Sequence, residues 1–302
     1  MSAIRESLDA LLVKPGTAAG LADRDPAWDG AEAFRHLGAQ RLHARTEEAL
    51  ARSVVELERA HELLWASGRY ALLIVLQAMD AAGKDGTIRH VMSGINPAGV
   101  DVISFKEPTP EELAHDFLWR TAKAMPPRGR IAIFNRSHYE EVVTVRVHPE
   151  LLARERSGDG SSDGAFWSER FESINGFERH AARNGTKIVK LFLHVSKEEQ
   201  RRRLLARLEE PDKGWKFSAA DLAERAHWDR YRAAYDAAIT ATSTPWAPWH
   251  VLPADRKPLL RALAAAVIVD AVDSLELRWP QLSDEQRAEN ERARQALEAE
   301  RG

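Results

Sequence analysis

The sequence predicts an α/β fold in which a parallel sheet of five strands is flanked by helices. Three observations carry that expectation. Apolar runs of strand length alternate along the chain with segments of helical periodicity. The first of those runs, Tyr70–Gln77, is almost unbroken, as suits a parallel strand covered on both faces. It leads directly into a Gly-Lys turn and a helical segment, the order a phosphate-binding loop needs.

Residues 1–30 are rich in Pro, Gly and Asp and read as an extended arm without a core of its own. From Ala31 to Ser67 the pattern is helical, with Leu50, Val54, Leu57, His61 and Leu64 at three- and four-residue steps. After the first strand come Val100–Phe105, a helical stretch Glu111–Met125 that stops at Pro126-Pro127, and a third strand at Arg130–Asn135. Lys187–Ser196 is the fourth strand and Trp249–Leu252 a short fifth. Helices are expected over Lys197–Glu210, Ala219–Thr242 and Pro258–Leu277. The Glu/Arg/Ala-rich tail, 281–302, has the composition of a solvated helix. Residues 31–280 thus form one domain, with a candidate lid at about 200–225. The segment Ser157–Gly164 reads as a flexible surface loop without chemistry.

Composition bounds the function. The 302 residues carry 43 Lys and Arg against 46 Asp and Glu, a net charge of −3, which speaks against a dedicated nucleic-acid binder. Any anionic partner must meet a local patch. There are no cysteines, which excludes a disulfide scaffold, a thiol nucleophile and a Cys-ligated metal. No signal-peptide pattern opens the chain and no apolar stretch is long enough for a bilayer. A cytoplasmic protein with no membrane partner is expected. Arginines number 33 against 10 lysines; genomic base composition explains such a bias as readily as phosphate recognition by guanidinium groups does.

The strongest chemical signal is Gln77-Ala-Met-Asp-Ala-Ala-Gly-Lys-Asp-Gly-Thr87. The backbone N–H groups of Ala81, Ala82, Gly83, Lys84, Asp85 and Gly86 could cradle phosphate oxygens, and Lys84 adds a mobile positive charge. The usual pattern, G-x-x-x-x-G-K-[ST], is met imperfectly: Ala78 replaces the first Gly, and Asp85 replaces the hydroxyl that normally ligates magnesium. Asp80, inside the loop, is the candidate to compensate, since a carboxylate beside phosphates needs a cation between them. The third strand ends in Asn135-Arg136, where P-loop proteins carry an acidic residue beside the metal. Asn135 could ligate through its carbonyl, and Arg136 would project from the carboxyl edge of the sheet.

Arg203 and Arg207 lie four residues apart and would share one helix face, with Pro211, Lys213, Trp215 and Lys216 beyond them and Asp221 in the next helix. Nucleotide kinases close such Arg-bearing lids over phosphates; a solvated helix with Glu–Arg pairs has the same periodicity. Lys106 and Arg120 add cations near strand ends. These residues leave open a P-loop phosphotransferase, such as a nucleoside monophosphate kinase using ATP, or a non-catalytic nucleotide-binding protein.

Four strings in order, LQAMDAAGKDGTIRHVMSGINPAG, SFKEPTPEELAHDFLWR, IAIFNRSHYEEVVTVRVHPE and KEEQRRRLLARLEEPDKGWKFSAADLAER, resemble the polyphosphate kinase 2 family, most closely its class III branch. The resemblance spans about Leu11 to Ala271. It implies a thymidylate kinase-like P-loop core with a helical lid. It also implies magnesium-dependent transfer of a terminal phosphoryl from inorganic polyphosphate to nucleoside mono- and diphosphates, by a dimer or tetramer. On that basis Asp80 and Asn135 would organise magnesium and phosphates, and Lys84 would cradle the moving phosphoryl. Arg136, Arg203, Arg207 and Asp221 would complete the closed site, and Lys106 and Arg120 would line the route of the polyanion.

Overall fold

The computed structural model describes residues 7–30, 38–154, 164–210 and 219–300. In chain order its elements are α1 (Leu8–Leu11), β1 (Leu12–Val13), α2 (Ala39–Ser67), β2 (Ala71–Ala78), α3 (Lys84–Val91), β3 (Val100–Ser104), α4 (Pro110–Leu113), α5 (Trp119–Lys123) and β4 (Ile131–Asn135). There follow α6 (Glu140–Val147), α7 (Gly164–Arg183), β5 (Thr186–His194), α8 (Lys197–Glu209), α9 (Ala219–Ala226), α10 (Trp228–Thr242), β6 (Trp249–Pro253), α11 (Lys257–Asp273) and α12 (Asp284–Ala299). Two 3-10 segments, Pro97–Gly99 and Pro149–Arg154, complete the described elements.

The sheet runs β1-β6-β5-β2-β4-β3. The five strands expected from sequence are all present and mutually parallel. Every side chain of β2 is buried, because helices cover the sheet on both sides. Helices α2, α3 and α11 pack together on one side and α6, α7 and α10 on the other. From Ala262 to Val269 helix α11 is apolar all round for this reason, lying between α2 and strands β5 and β6.

A sixth strand comes from the arm. Leu12 and Val13 pair antiparallel with His250 and Trp249, so residues 7–30 extend the sheet. Leu11, Val13, Ala19 and Leu21 are buried in the main core. The Leu21 N–H donates to Asp236 Oδ1 at 2.7 Å and the Ala19 N–H to Thr240 Oγ1 at 2.9 Å, both on α10. The described part of the arm thus contributes its apolar side chains to the main core.

Local chemistry moves three boundaries. The single helix expected over Glu111–Met125 is two short ones, because Asp116 Oδ1 accepts from the Leu118 N–H at 2.9 Å and starts a second turn. The helix expected over Ala219–Thr242 breaks at His227, whose φ of −90° and ψ of 16° leave the helical region. Helices α6 and α7 answer to no element assigned from sequence; the β-branched run in α6 (VVTVRV) hides a helix buried on several sides. The tail helix α12 buries none of its residues, as expected, and is held at its start by a Ser283–Gln286 capping box. Most of Ser157–Gly164, and Pro211, Lys213, Trp215 and Lys216, lie outside the described residues. No helix among the described residues is long and apolar enough to cross a membrane.

Candidate active site

All five parallel strands end at one edge, at Ala78, Ser104, Asn135, His194 and Pro253. Ligands of open α/β sheets bind beyond that edge. The loop after β2 turns through two left-handed residues, Ala81 (φ 60°) and Gly83 (φ 108°), and hands the chain to α3 at Lys84. Glycine takes that conformation freely; alanine there stores about 1–3 kcal/mol, which the surrounding structure must hold.

What holds it is Arg203. Its guanidinium donates to the carbonyls of Ala81 (3.1 Å) and Ala82 (2.6 Å) in the loop and to those of Ala254 and Asp255 after β6, while Nε bonds Glu199 at 2.7 Å. The side chain is only 7% exposed. Gln200, one turn back on α8, donates to the Asp80 carbonyl at 3.0 Å, and Arg225 of α9 donates in turn to Gln200 Oε1 at 2.7 Å. Arg203 and Arg207, expected as a matched pair, therefore differ. Arg203 fastens the loop to the sheet edge, whereas Arg207 borders the cavity one turn further along α8. The neighbouring Arg201 and Arg202 form Glu–Arg pairs with Glu198 and Glu199.

Lys84 is half-buried and its Nζ lies 3.3 Å from the Ala78 carbonyl. Burial and the nearby Arg136 push its ammonium below the usual lysine range, with Asp80 opposing. That electrostatic setting leaves room for further anionic charge. Ala78, where the motif has glycine, is the last residue of β2; its carbonyl also accepts from Tyr235 OH at 3.1 Å.

Across the loop, Arg136 sits just past β4 with a left-handed φ of 64°. It reaches Asp80 Oδ1 at 2.8 Å and Glu140 Oε2 at 3.7 Å, and these two carboxylates hold its charge firmly, the better buried Glu140 weighing more. Asn135 donates through Nδ2 to Asp85 Oδ1 at 2.7 Å. The residue in place of the P-loop hydroxyl and the residue in place of the strand-end acid thus face each other. The acidic charge that Asn135 lacks is supplied from the helix side by Asp85.

Two cavities meet at Arg136. The first, about 530 Å³, is bordered by the whole loop from Asp80 to Thr87 and by Asn135, Arg136, Arg203 and Arg207. Four further cations border it that sequence reasoning passed over: Arg89, Arg202, Lys257 and Arg261. Arg202 at least lies inside a quoted motif; Lys257 and Arg261 are far along the chain and carry no local signal. The second cavity, about 390 Å³, has apolar walls from Phe105, Pro108, Leu113, Val145 and Leu151. Lys106 and Arg120 border this second cavity and not the first. Arg120 is buried against Glu141 at 2.7 Å and donates to the Lys106 carbonyl at 2.9 Å, whereas the Lys106 side chain is exposed. Asp221 falls in α9, and its side chain is not among those described.

The model of the family described as polyphosphate kinase 2 matches residues 41–279, well over half the chain. The chain belongs to the polyphosphate kinase 2 family. Polyphosphate kinase 2 from Arthrobacter aurescens superposes on it with a TM-score of 0.84 at 39% identity, covering 95% of this chain and 96% of the other. An ADP-polyphosphate phosphotransferase from Rhodopseudomonas palustris is 51% identical over 251 residues, 83% of this chain and 87% of the relative. An AMP/ADP-polyphosphate phosphotransferase from Meiothermus ruber is 48% identical over 234 residues, 78% and 84% of the respective chains. The family match begins at residue 41, after the arm that supplies β1 to the polyphosphate kinase 2 sheet.

Proposed function

We propose that this enzyme transfers the terminal phosphoryl group of inorganic polyphosphate to nucleoside mono- and diphosphates, converting AMP to ADP and ADP to ATP. The observation that supports the assignment of sides is the meeting of two unlike cavities at Arg136. One is lined by many cations and the loop N–H groups and suits a chain of phosphates; the other combines apolar walls with carboxylates, among them Glu107, Glu140 and Glu224, a mixed lining that suits a nucleoside better than a polyanion. The names of the relatives from R. palustris and M. ruber support polyphosphate as donor and adenine nucleotides as acceptors.

In that arrangement an oxygen of the acceptor's terminal phosphate attacks the terminal phosphorus of the donor. The bond to the donor's next bridging oxygen breaks, and the shortened chain keeps the electron pair. The nucleophile is already anionic, so no general base is required, and catalysis consists of positioning and charge neutralisation. Lys84 and the loop N–H groups would hold the moving phosphoryl, and Arg136 would stand between donor and acceptor. Asp80, Asp85 and the Asn135 carbonyl offer oxygen donors of the kind magnesium prefers. No group of three or more His, Cys, Asp or Glu that could hold a metal occurs among the described residues. That fits an ion held by one or two carboxylates together with substrate phosphates and water. When bound, magnesium would neutralise charge on the phosphate oxygens. Cytoplasmic location and assembly into a dimer or tetramer belong to the same proposal and rest on the family resemblance.

The deciding experiment supplies magnesium and either AMP or ADP, with polyphosphate as the sole donor. Formation of ADP or ATP is expected. Failure with polyphosphate, while ATP phosphorylates AMP, would reassign the enzyme to the nucleoside monophosphate kinases. Within the lid, Arg207→Ala should lower kcat by about 10–100-fold with a smaller change in nucleotide KM, since closure serves the transition state more than the ground state. Normal turnover in that variant would remove Arg207 from the mechanism.

A further inference from the structure

The cationic groove continues past the phosphate loop. Beyond Gly86 it is bordered by Arg89 on α3 and by Lys257 and Arg261 on α11. Lys257 and Arg261 are four residues apart and share one helix face. Arg261 approaches the loop itself, its Nη2 lying 3.7 Å from the position a Cβ on Gly86 would take. None of the three forms an ion pair among the described residues. Burial lowers the pKa of both α11 cations, and each is further disfavoured by its neighbours: Arg261 by Arg89 and Arg203, Lys257 by Arg203, Arg202 and Arg261. The opposing carboxylates are few. Glu47 of α2 acts on Arg261, and Glu199, which acts on Lys257, is already engaged by Arg202 and Arg203. Like charges gathered in a groove where they outnumber the carboxylates Asp80, Asp85 and Glu210 form a standing site for a polyanion.

We infer that Arg89, Lys257 and Arg261 form a distal subsite for donor phosphates remote from the one transferred, and that this subsite sets the enzyme's preference for long over short polyphosphate. The inference rests on the polyphosphate reading above and extends it to chain length. A short donor seated on the loop spans only part of this lining; a longer one running along the groove engages more of its cations at once. Each added charge-assisted contact strengthens binding of the long chain alone. Because those contacts lie away from the reacting phosphorus and change little during transfer, they act on KM more than on kcat. The cationic lining also suits continued phosphates better than the nucleoside of a nucleotide donor.

The test compares wild type with the double variant Lys257→Gln/Arg261→Gln and, separately, Arg89→Gln. Equilibrium binding of tripolyphosphate and of long-chain polyphosphate is titrated, and KM is measured for long-chain donor and for the shortest donor that supports turnover. The ratio of affinities, long over short, should fall about tenfold in the double variant, equivalent to ~1.4 kcal/mol. The loss should be carried by KM. The salt dependence of long-chain binding should become shallower. Arg89→Gln, on a different helix, should shift the ratio in the same direction. Equal losses for both lengths, or no loss for either, would overturn the subsite. If wild type makes no product from polyphosphate with any acceptor, the functional reading fails, and the binding titrations still decide whether α11 reads length.

Discussion

Replacing Asp80 by Asn is expected to lower polyphosphate-dependent kcat by about 10²-fold or more, the scale seen when one preorganised charge is removed from a reacting centre. The substitution keeps the shape of the side chain and removes its charge. Asp80 borders the cation-lined cavity, paired at 2.8 Å with Arg136, the residue both cavities share, while its backbone carbonyl is tied to Gln200. The amide can still accept from Arg136, so the loop should keep its place and the thermal midpoint should change little. What is lost is the carboxylate that the loop offers to magnesium and the counter-charge that orients the guanidinium. The check is a pair of measurements on one preparation: turnover at saturating magnesium and a melting curve. Wild-type turnover would show that Asp80 is not required, and a collapsed melting curve would show that its role is structural.

The largest expected effect on stability lies on the other side of the sheet. Lys190, in the middle of β5, is fully buried, and its ammonium has three partners: Glu178 Oε2 at 2.6 Å, Tyr139 OH at 2.8 Å and the Thr242 carbonyl at 2.7 Å. The rings of Tyr139 and Trp249 lie 5.3 and 5.2 Å from Nζ. Burial alone would push the Glu178 carboxyl up, but Lys190 and His138 hold it below the usual range; burial likewise pulls the Lys190 ammonium down, and Glu178 opposes that pull. Lys190→Met should therefore cost about 3–5 kcal/mol, because it leaves the Glu178 carboxylate buried without its counter-ion. Pairing it with Glu178→Leu should recover a large part of that loss. Urea unfolding would show this as a drop in midpoint for the single variant and a partial return for the double one. An unchanged midpoint in Lys190→Met would mean that the network does not hold the fold.

These two residues also show what a linear reading can and cannot reach. Asp80 was legible because the chemistry of a phosphate loop constrains a short contiguous string. Lys190 stands in the run KIVKLFLHVS, where an isolated lysine reads as an ordinary interruption; nothing local says that it is buried. Its partners come from 12, 51 and 52 positions away. Arg203 and Arg207 make the same point within one helix. Their spacing places them on one face, but the arrival of the Ala81 and Ala82 carbonyls, more than a hundred positions earlier in the chain, assigns Arg203 to the loop. The left-handed turns at Ala81 and Arg136 had no signal at all, since neither residue type announces a positive φ.

The opening expectation of a five-stranded parallel sheet rested on periodicity and apolar runs, and those determine elements well because they reflect burial of each segment by itself. The sequence alone determined the five parallel strands, the strand–turn–helix that holds Asp80 and Lys84, the Asn135-Arg136 strand end and the family. Tertiary structure decided the rest. It made a sixth strand of the arm, set Asp85 against Asn135, fastened the loop with Arg203 and brought Lys257 and Arg261 to the wall of the groove. The physical reason is common to all four. Each depends on where distant backbone carbonyls, carboxylates and guanidinium groups meet once the sheet is assembled, and no window of contiguous residues contains that meeting.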